Sequence, residues 1–140
     1  FFTGFTRSAN DIASEQVRLI YSKSSELKEM MELTNQAMNI LSDKSICILE
    51  IGRLLNHQWK LKRQLSNSIS NTNIDDIYNK GIKAGAIGGK LLGAGGGGFM
   101  LFFIEPEKID NVKRELNTLL HVPFQFEFTG SHILYYDNTF

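Results

Sequence analysis

The residues with the most chemical potential lie in one run, Gly88-Gly89-Lys90-Leu91-Leu92-Gly93-Ala94-Gly95-Gly96-Gly97-Gly98. Nine of the chain's twelve glycines fall between Gly81 and Gly98. Glycine loses more backbone freedom on folding than any other residue, so this density needs a reason. The usual one is a backbone that turns with positive φ and comes close to a phosphate. Gly93, Ala94, Gly95, Gly96, Gly97 and Gly98 present consecutive N–H groups able to form an anion nest, with almost no Cβ atoms in the way. Lys90, just before them, reads either as a phosphate contact or as a solvated charge. The run is not a Walker A loop, because no Gly-Lys-Ser/Thr follows the glycines. It is not a dinucleotide fingerprint either, since it follows a helical pattern and opens a strand rather than the reverse. The bland alternative is a connector or a tight helix–strand turn.

A second constellation precedes the run. Asn56, Trp59, Lys62 and Arg63 recur at three- and four-residue steps, which on a helix places them on one face. An amide, an indole and two cations suit a sugar phosphate: hydroxyl hydrogen bonds from Asn56, stacking or packing from Trp59, phosphate pairing from Lys62 or Arg63. The plainer reading is a half-buried Trp beside a solvated basic face. His57, His121 and His132 have no metal-ligand spacing. Asp75 and Asp76 look like a Mg²⁺ pair, but a helix first turn accounts for them without metal.

The elements that must position these residues follow from periodicity. Phe1 to Phe5 reads as a short strand. Ser8 is a candidate cap for a first helix with Ile12, Gln16, Leu19 and Ile20 on one side. A second helix carries Leu27, Met30, Met31, Thr34, Ala37, Met38 and Leu41, its Met stripe expected in the core. A third runs from about Ser45 to Leu65, interrupted at most near Gly52. Ser66 to Asn73 reads as a loop, with Asn73 capping a fourth helix that bears Ile74, Ile77, Tyr78 and Ile82. The apolar stretch Phe99–Ile104 predicts a strand, and Pro106 opens a fifth helix lined by Ile109, Val112, Leu116 and Leu119. Phe124, Phe126 and Phe128 alternate with Gln125 and Glu127 as in a half-buried strand, and His132 to Tyr136 follows as a last strand. The sum is an α+β domain, about four antiparallel strands covered by about five helices.

Composition narrows the partners. The 140 residues suffice for one domain with a real core, with no internal boundary visible. Fifteen basic and fifteen acidic residues cancel, which gives no case for nucleic acid or a charged membrane surface. No segment has the length and apolarity of a membrane span or a signal peptide. A single Cys47, in the apolar run Ile46-Cys47-Ile48-Leu49, suits a reducing cytoplasm and is expected to be buried. The chain opens at Phe1 within an apolar stretch, so it reads as part of something longer.

The motif Lys90-Leu91-Leu92-Gly93-Ala94-Gly95-Gly96-Gly97-Gly98 resembles the third, C-terminal motif of the GHMP kinases, the relatives of galactokinase, homoserine kinase and mevalonate kinase. Within that family the chain most resembles the bacterial D-glycero-D-manno-heptose 7-phosphate kinase group, through Thr3-Gly4-Phe5-Thr6-Arg7-Ser8, Trp59 to Ser66, and Ile69-Ser70-Asn71 followed by Ile74-Asp75. The resemblance implies a ferredoxin-like C-terminal lobe, residues 1–140, of a two-lobed sugar kinase. It implies ATP and a small sugar phosphate as partners, phosphorylation at the anomeric hydroxyl, and Mg²⁺ held mainly by an N-terminal lobe. That lobe also supplies the serine-rich phosphate loop and the catalytic acid, so no catalytic residue is expected in this chain and alone it should be inactive. The resemblance places the glycine loop over the nucleotide phosphates and lets Arg7, with Ser8 beside it, help hold the sugar or its phosphate. It commonly has His or Asn where Asn56 stands. A homodimer is left open. A mevalonate or hexose kinase lobe, or a stand-alone binding module, are the alternatives.

Overall fold

The computed structural model describes residues 1–5 and 9–135. Ser8 and Arg7, and the last strand beyond Tyr135, lie outside the described residues. Among those described, five α-helices and two strands form: α1 (Ala9–Leu19), α2 (Ser24–Ser42), α3 (Leu49–Leu65), α4 (Thr72–Lys83), β1 (Ala86–Leu91), β2 (Met100–Ile104) and, after a 3₁₀ turn at Pro106–Lys108, α5 (Ile109–Glu115). No helix of the described residues is long and apolar enough to cross a membrane.

The helices form where the apolar periodicity predicts. α4 begins two residues earlier than expected: Asn71, not Asn73, is its cap, and the Asn71 side chain accepts from the Ile74 N–H at 3.0 Å. Asp75 then falls in the first turn, where the helix dipole favours it. The helix stops at Gly85, whose φ of +116° a side-chain-bearing residue would resist. α3 runs unbroken through Gly52, because that glycine serves packing rather than a kink.

β1 and β2 pair antiparallel, with Lys90 opposite Leu101 and Leu91 opposite Met100. The first glycines of the run, Gly88 and Gly89, therefore lie in a strand rather than a loop. A Cβ on Gly88 would sit 1.8 Å from the Gly52 carbonyl oxygen, so α3 rests its backbone directly on β1. A Cβ on Gly81 would sit 2.4 Å from the Phe102 ring, so α4 approaches β2 in the same way. The core between them gathers Trp59, Ile69, Ile74, Tyr78, Leu91, Met100, Val112 and Leu116.

The sheet is smaller than the four strands expected. Phe1–Thr3 lies along β2 without becoming a full strand: Phe1 and Met100 exchange two 2.8 Å backbone bonds, and the Thr3 N–H donates to Gly98 at 2.8 Å. Phe2 forms isolated bridges to Phe99 and Leu120. Phe124–Phe128 forms no strand, nor do His132–Tyr135, and Phe128 is 91% exposed. Alternation marks a face that can be buried, but a strand also needs a neighbour with free N–H and C=O groups. The sheet of the described residues pairs only β1 with β2.

Two core expectations also fail. Met31, Met38 and Leu41 point to solvent, since α2 packs on α3 along a narrower stripe that includes the buried Leu33. Cys47 is exposed, because the turn between α2 and α3 runs over the surface with Ile48 half uncovered beside it.

Candidate functional site: the glycine loop and its lysines

Residues 92–99 join β1 to β2 as a loop pinned on several sides. Leu92 N–H donates to Phe99 at 2.8 Å, closing its base. Gly96 N–H donates to the Ile69 carbonyl and Gly98 N–H to the Phe5 carbonyl, each at 2.8 Å. Gln16 of α1 donates its amide to the Ala94 carbonyl at 3.0 Å, and the buried Thr3 hydroxyl donates to Gly98 at 2.9 Å. The expected nest is thus reduced: Gly96 and Gly98 already use their N–H groups. Gly93, Ala94, Gly95 and Gly97 donate to no acceptor among the described residues. Gly95 is itself a buried residue.

Four loop glycines hold positive φ: Gly93 (+81°), Gly95 (+128°), Gly96 (+73°) and Gly98 (+105°). Packing imposes a second demand. A Cβ on Gly95 would lie 2.8 Å from Ile69 Cα, and one on Gly97 would lie 2.4 Å from the Phe5 oxygen. Gly93 differs, as its missing Cβ would face open space. The loop is therefore a rigid backbone surface with one unobstructed shoulder.

The structure divides the residues expected to share one face of α3. Asn56, Trp59 and Arg63 make the seam with α4. The Tyr78 hydroxyl donates to Asn56 Oδ1 at 2.6 Å, and burial raises the tyrosine's pKa, keeping it a donor. Trp59 is 0% exposed and packs against Tyr78 at 6.2 Å between ring centroids. It offers no face to a sugar in this fold, which corrects the stacking role and leaves packing. Arg63 Nη1 pairs with Asp75 Oδ1 at 2.8 Å, and the same oxygen accepts from the Ser70 hydroxyl at 2.7 Å. That carboxylate, read as a candidate metal ligand, is engaged by a guanidinium. His57 pairs with Glu29 of α2 at 2.8 Å rather than lining a cleft.

Lys62 turns the other way. Its ammonium donates to the Gly93 carbonyl at the open shoulder of the loop. Lys90, in β1 rather than in the loop, donates to Gln58 Oε1 at 2.8 Å. Burial holds both lysines below the usual lysine range, and the Lys90 charge lowers Lys62 further. Sequence reasoning missed Gln58, Gln16 and the carbonyls of Ile69 and Phe5. Only Gln58 left a signal, its i,i+4 spacing to Lys62 on α3.

The chain matches the family model described as GHMP kinases C terminal over residues 5–122. It belongs to that family. It is 31% identical over 138 residues to D-glycero-alpha-D-manno-heptose 7-phosphate kinase of Campylobacter jejuni, covering 92% of this chain and 38% of that protein. Mevalonate kinase of Thermococcus sibiricus is also 31% identical, over 119 residues, covering 79% of this chain and 34% of the relative. Among solved structures, the Methanococcus jannaschii mevalonate kinase superposes with a TM-score of 0.70 at 26% identity, over 84% of this chain and 34% of that one. The L. major mevalonate kinase, solved with R-mevalonate, gives 0.71 at 22% identity and shows the shared fold. This GHMP kinase chain thus spans 38% and 34% of the length of these two relatives.

Proposed function

We propose that this chain is the C-terminal lobe of an ATP-dependent kinase acting on D-glycero-D-manno-heptose 7-phosphate in the cytoplasm. The observation that carries the reading is the loop itself: a pinned backbone with four N–H groups that have no partner among the described residues, beside two half-buried lysines. Kinases gain rate from positioning and from stabilising charge on the transferred phosphoryl, and this surface fits that task. ATP and Mg²⁺ complete the site, with the metal held mainly by carboxylates of an N-terminal lobe. In the reaction the anomeric hydroxyl oxygen forms a bond to the γ-phosphorus, and the bond from that phosphorus to the β,γ-bridging oxygen breaks. ADP leaves, and the hydroxyl proton passes to a base of the N-terminal lobe. This chain's part is to brace the nucleotide phosphates and to help hold the sugar phosphate through Arg7, Ser8 and Asn56, with Lys62 adding a cation at the Gly93 end of the loop. Similarity to the Campylobacter jejuni heptose kinase across 92% of the chain supports the choice of sugar.

The test is ADP release by the full-length protein with a panel of acceptors. Turnover with heptose 7-phosphate well above that with mevalonate, fucose or unphosphorylated heptose is expected. Preference for mevalonate would replace the substrate, and no turnover with any acceptor would overturn the kinase reading.

A further inference from the structure

Gln58 and Lys62 lie four residues apart on α3 and share a face, and β1 brings Lys90 up against it. The two ammonium groups have only neutral acceptors: the Gly93 carbonyl for Lys62 and the Gln58 amide oxygen for Lys90. The ion pairs among the described residues involve Lys23, Arg53, His57 and Arg63, and neither of these lysines. Arg63, one residue along α3, shows the contrasting arrangement, with Asp75 beside it. Each lysine is partly out of water, the Lys90 charge acts on Lys62, and no carboxylate among the described residues pairs with either, which raises the free energy of the empty state. An anion between them would lower it. The approach is clear, since Gly93 presents no side chain and would meet nothing if it had one. Gly93 N–H has no acceptor among the described residues, so the residue whose carbonyl takes Lys62 also carries an unused backbone donor.

We propose that Lys62 and Lys90 form one receptor for a single phosphate group at the Gly93 end of the loop, with Lys62 leaving the Gly93 carbonyl for that phosphate when it binds. The inference rests on the kinase reading. It replaces the division expected from sequence, in which Lys90 serves the nucleotide and Lys62 the sugar phosphate. The ligand chemistry is a phosphate dianion, supplied either by the nucleotide or by the acceptor sugar. Two cations and a backbone donor would match it with charge-assisted hydrogen bonds.

Full-length protein carrying Lys62→Met, Lys90→Met or both tests this, with calorimetric affinities for AMP-PNP and for D-glycero-D-manno-heptose 7-phosphate measured separately. Methionine keeps the apolar stem and removes the charge. Both single variants should weaken the same ligand, each about tenfold, and leave the other within about threefold. The ligand that responds identifies the source of the phosphate. Lys28→Met, exposed on α2, should change neither affinity. In wild-type protein with ¹³C-methylated lysines, that same ligand should shift the signals of both Lys62 and Lys90, a readout that needs no variant to fold. The proposal is overturned if the two lysines affect different ligands, if both ligands respond equally to each, if neither responds, or if only one lysine signal moves. Wild-type turnover measured alongside separates the outcomes: intact turnover with independent lysines removes the shared receptor alone, and absent turnover removes the kinase reading.

Discussion

The glycine run contains two regions that use the same residue for different ends. Gly88 and Gly89 sit in β1, where the missing side chain of Gly88 lets α3 backbone touch the strand and that of Gly89 leaves room for Leu101 and Phe102 of β2. Gly93 to Gly98 sit in the loop, where most of the glycines adopt positive φ and leave N–H groups without partners. The first region builds the platform and the second uses it. Packing demands run through both halves, since Gly95 and Gly97 also leave no room for a Cβ, and the phosphate role proposed above belongs to the second half alone.

Substitutions that separate the halves can break this comparison. The largest effect is expected at Gly88→Val, where the new Cβ would collide with the Gly52 carbonyl oxygen at 1.8 Å. Helix α3 cannot move away without opening the core, so the loss should be about 3 kcal/mol or more, read by denaturant unfolding. Retained stability would show that α3 is not seated there. Gly96→Val in the full-length protein should lower kcat/KM about a hundredfold or more while the protein still folds, since valine resists a φ of +73° and displaces the loop. Near wild-type activity would make the loop a connector. Gly93→Ala isolates conformation from contact, because its Cβ meets nothing at φ +81°. It should cost about 1–2 kcal/mol of stability, and a loss several times larger would reveal a steric demand that the loop's open shoulder does not show. Gln16→Ala removes one bond to the Ala94 carbonyl and should cost about 1 kcal/mol, with the smallest change in the melting curve of the four.

The contrast also explains what was legible in the sequence. The helices were, because apolar residues at i, i+3 and i+4 leave few other solutions. The glycine motif was legible as a stretch of positive φ and close approach, because few other demands concentrate glycine so densely. The boundary inside it was not: whether Gly88 is strand or loop depends on Gly52 arriving from 36 positions earlier in the chain. For the same reason Lys62 was grouped with Asn56, Trp59 and Arg63, although α4 draws those three one way and the loop draws Lys62 the other. Helical spacing names neighbours on a helix, and what each faces is decided by the element packed against it. Phe124, Phe126 and Phe128 teach the converse: an alternating pattern alone does not make a strand, and here the three rings stay exposed.

The central claim is that the second half of the run, and not the first, binds phosphate. Amide chemical shifts of ¹⁵N-labelled full-length protein, followed as Mg²⁺–AMP-PNP is added, address it residue by residue. Large, saturable shifts are expected at Gly93, Ala94, Gly95 and Gly97, the four loop N–H groups without a partner among the described residues, and little change at Gly88 and Gly89 in β1. Binding that leaves those four amides unmoved, or that moves the β1 glycines instead, would contradict it.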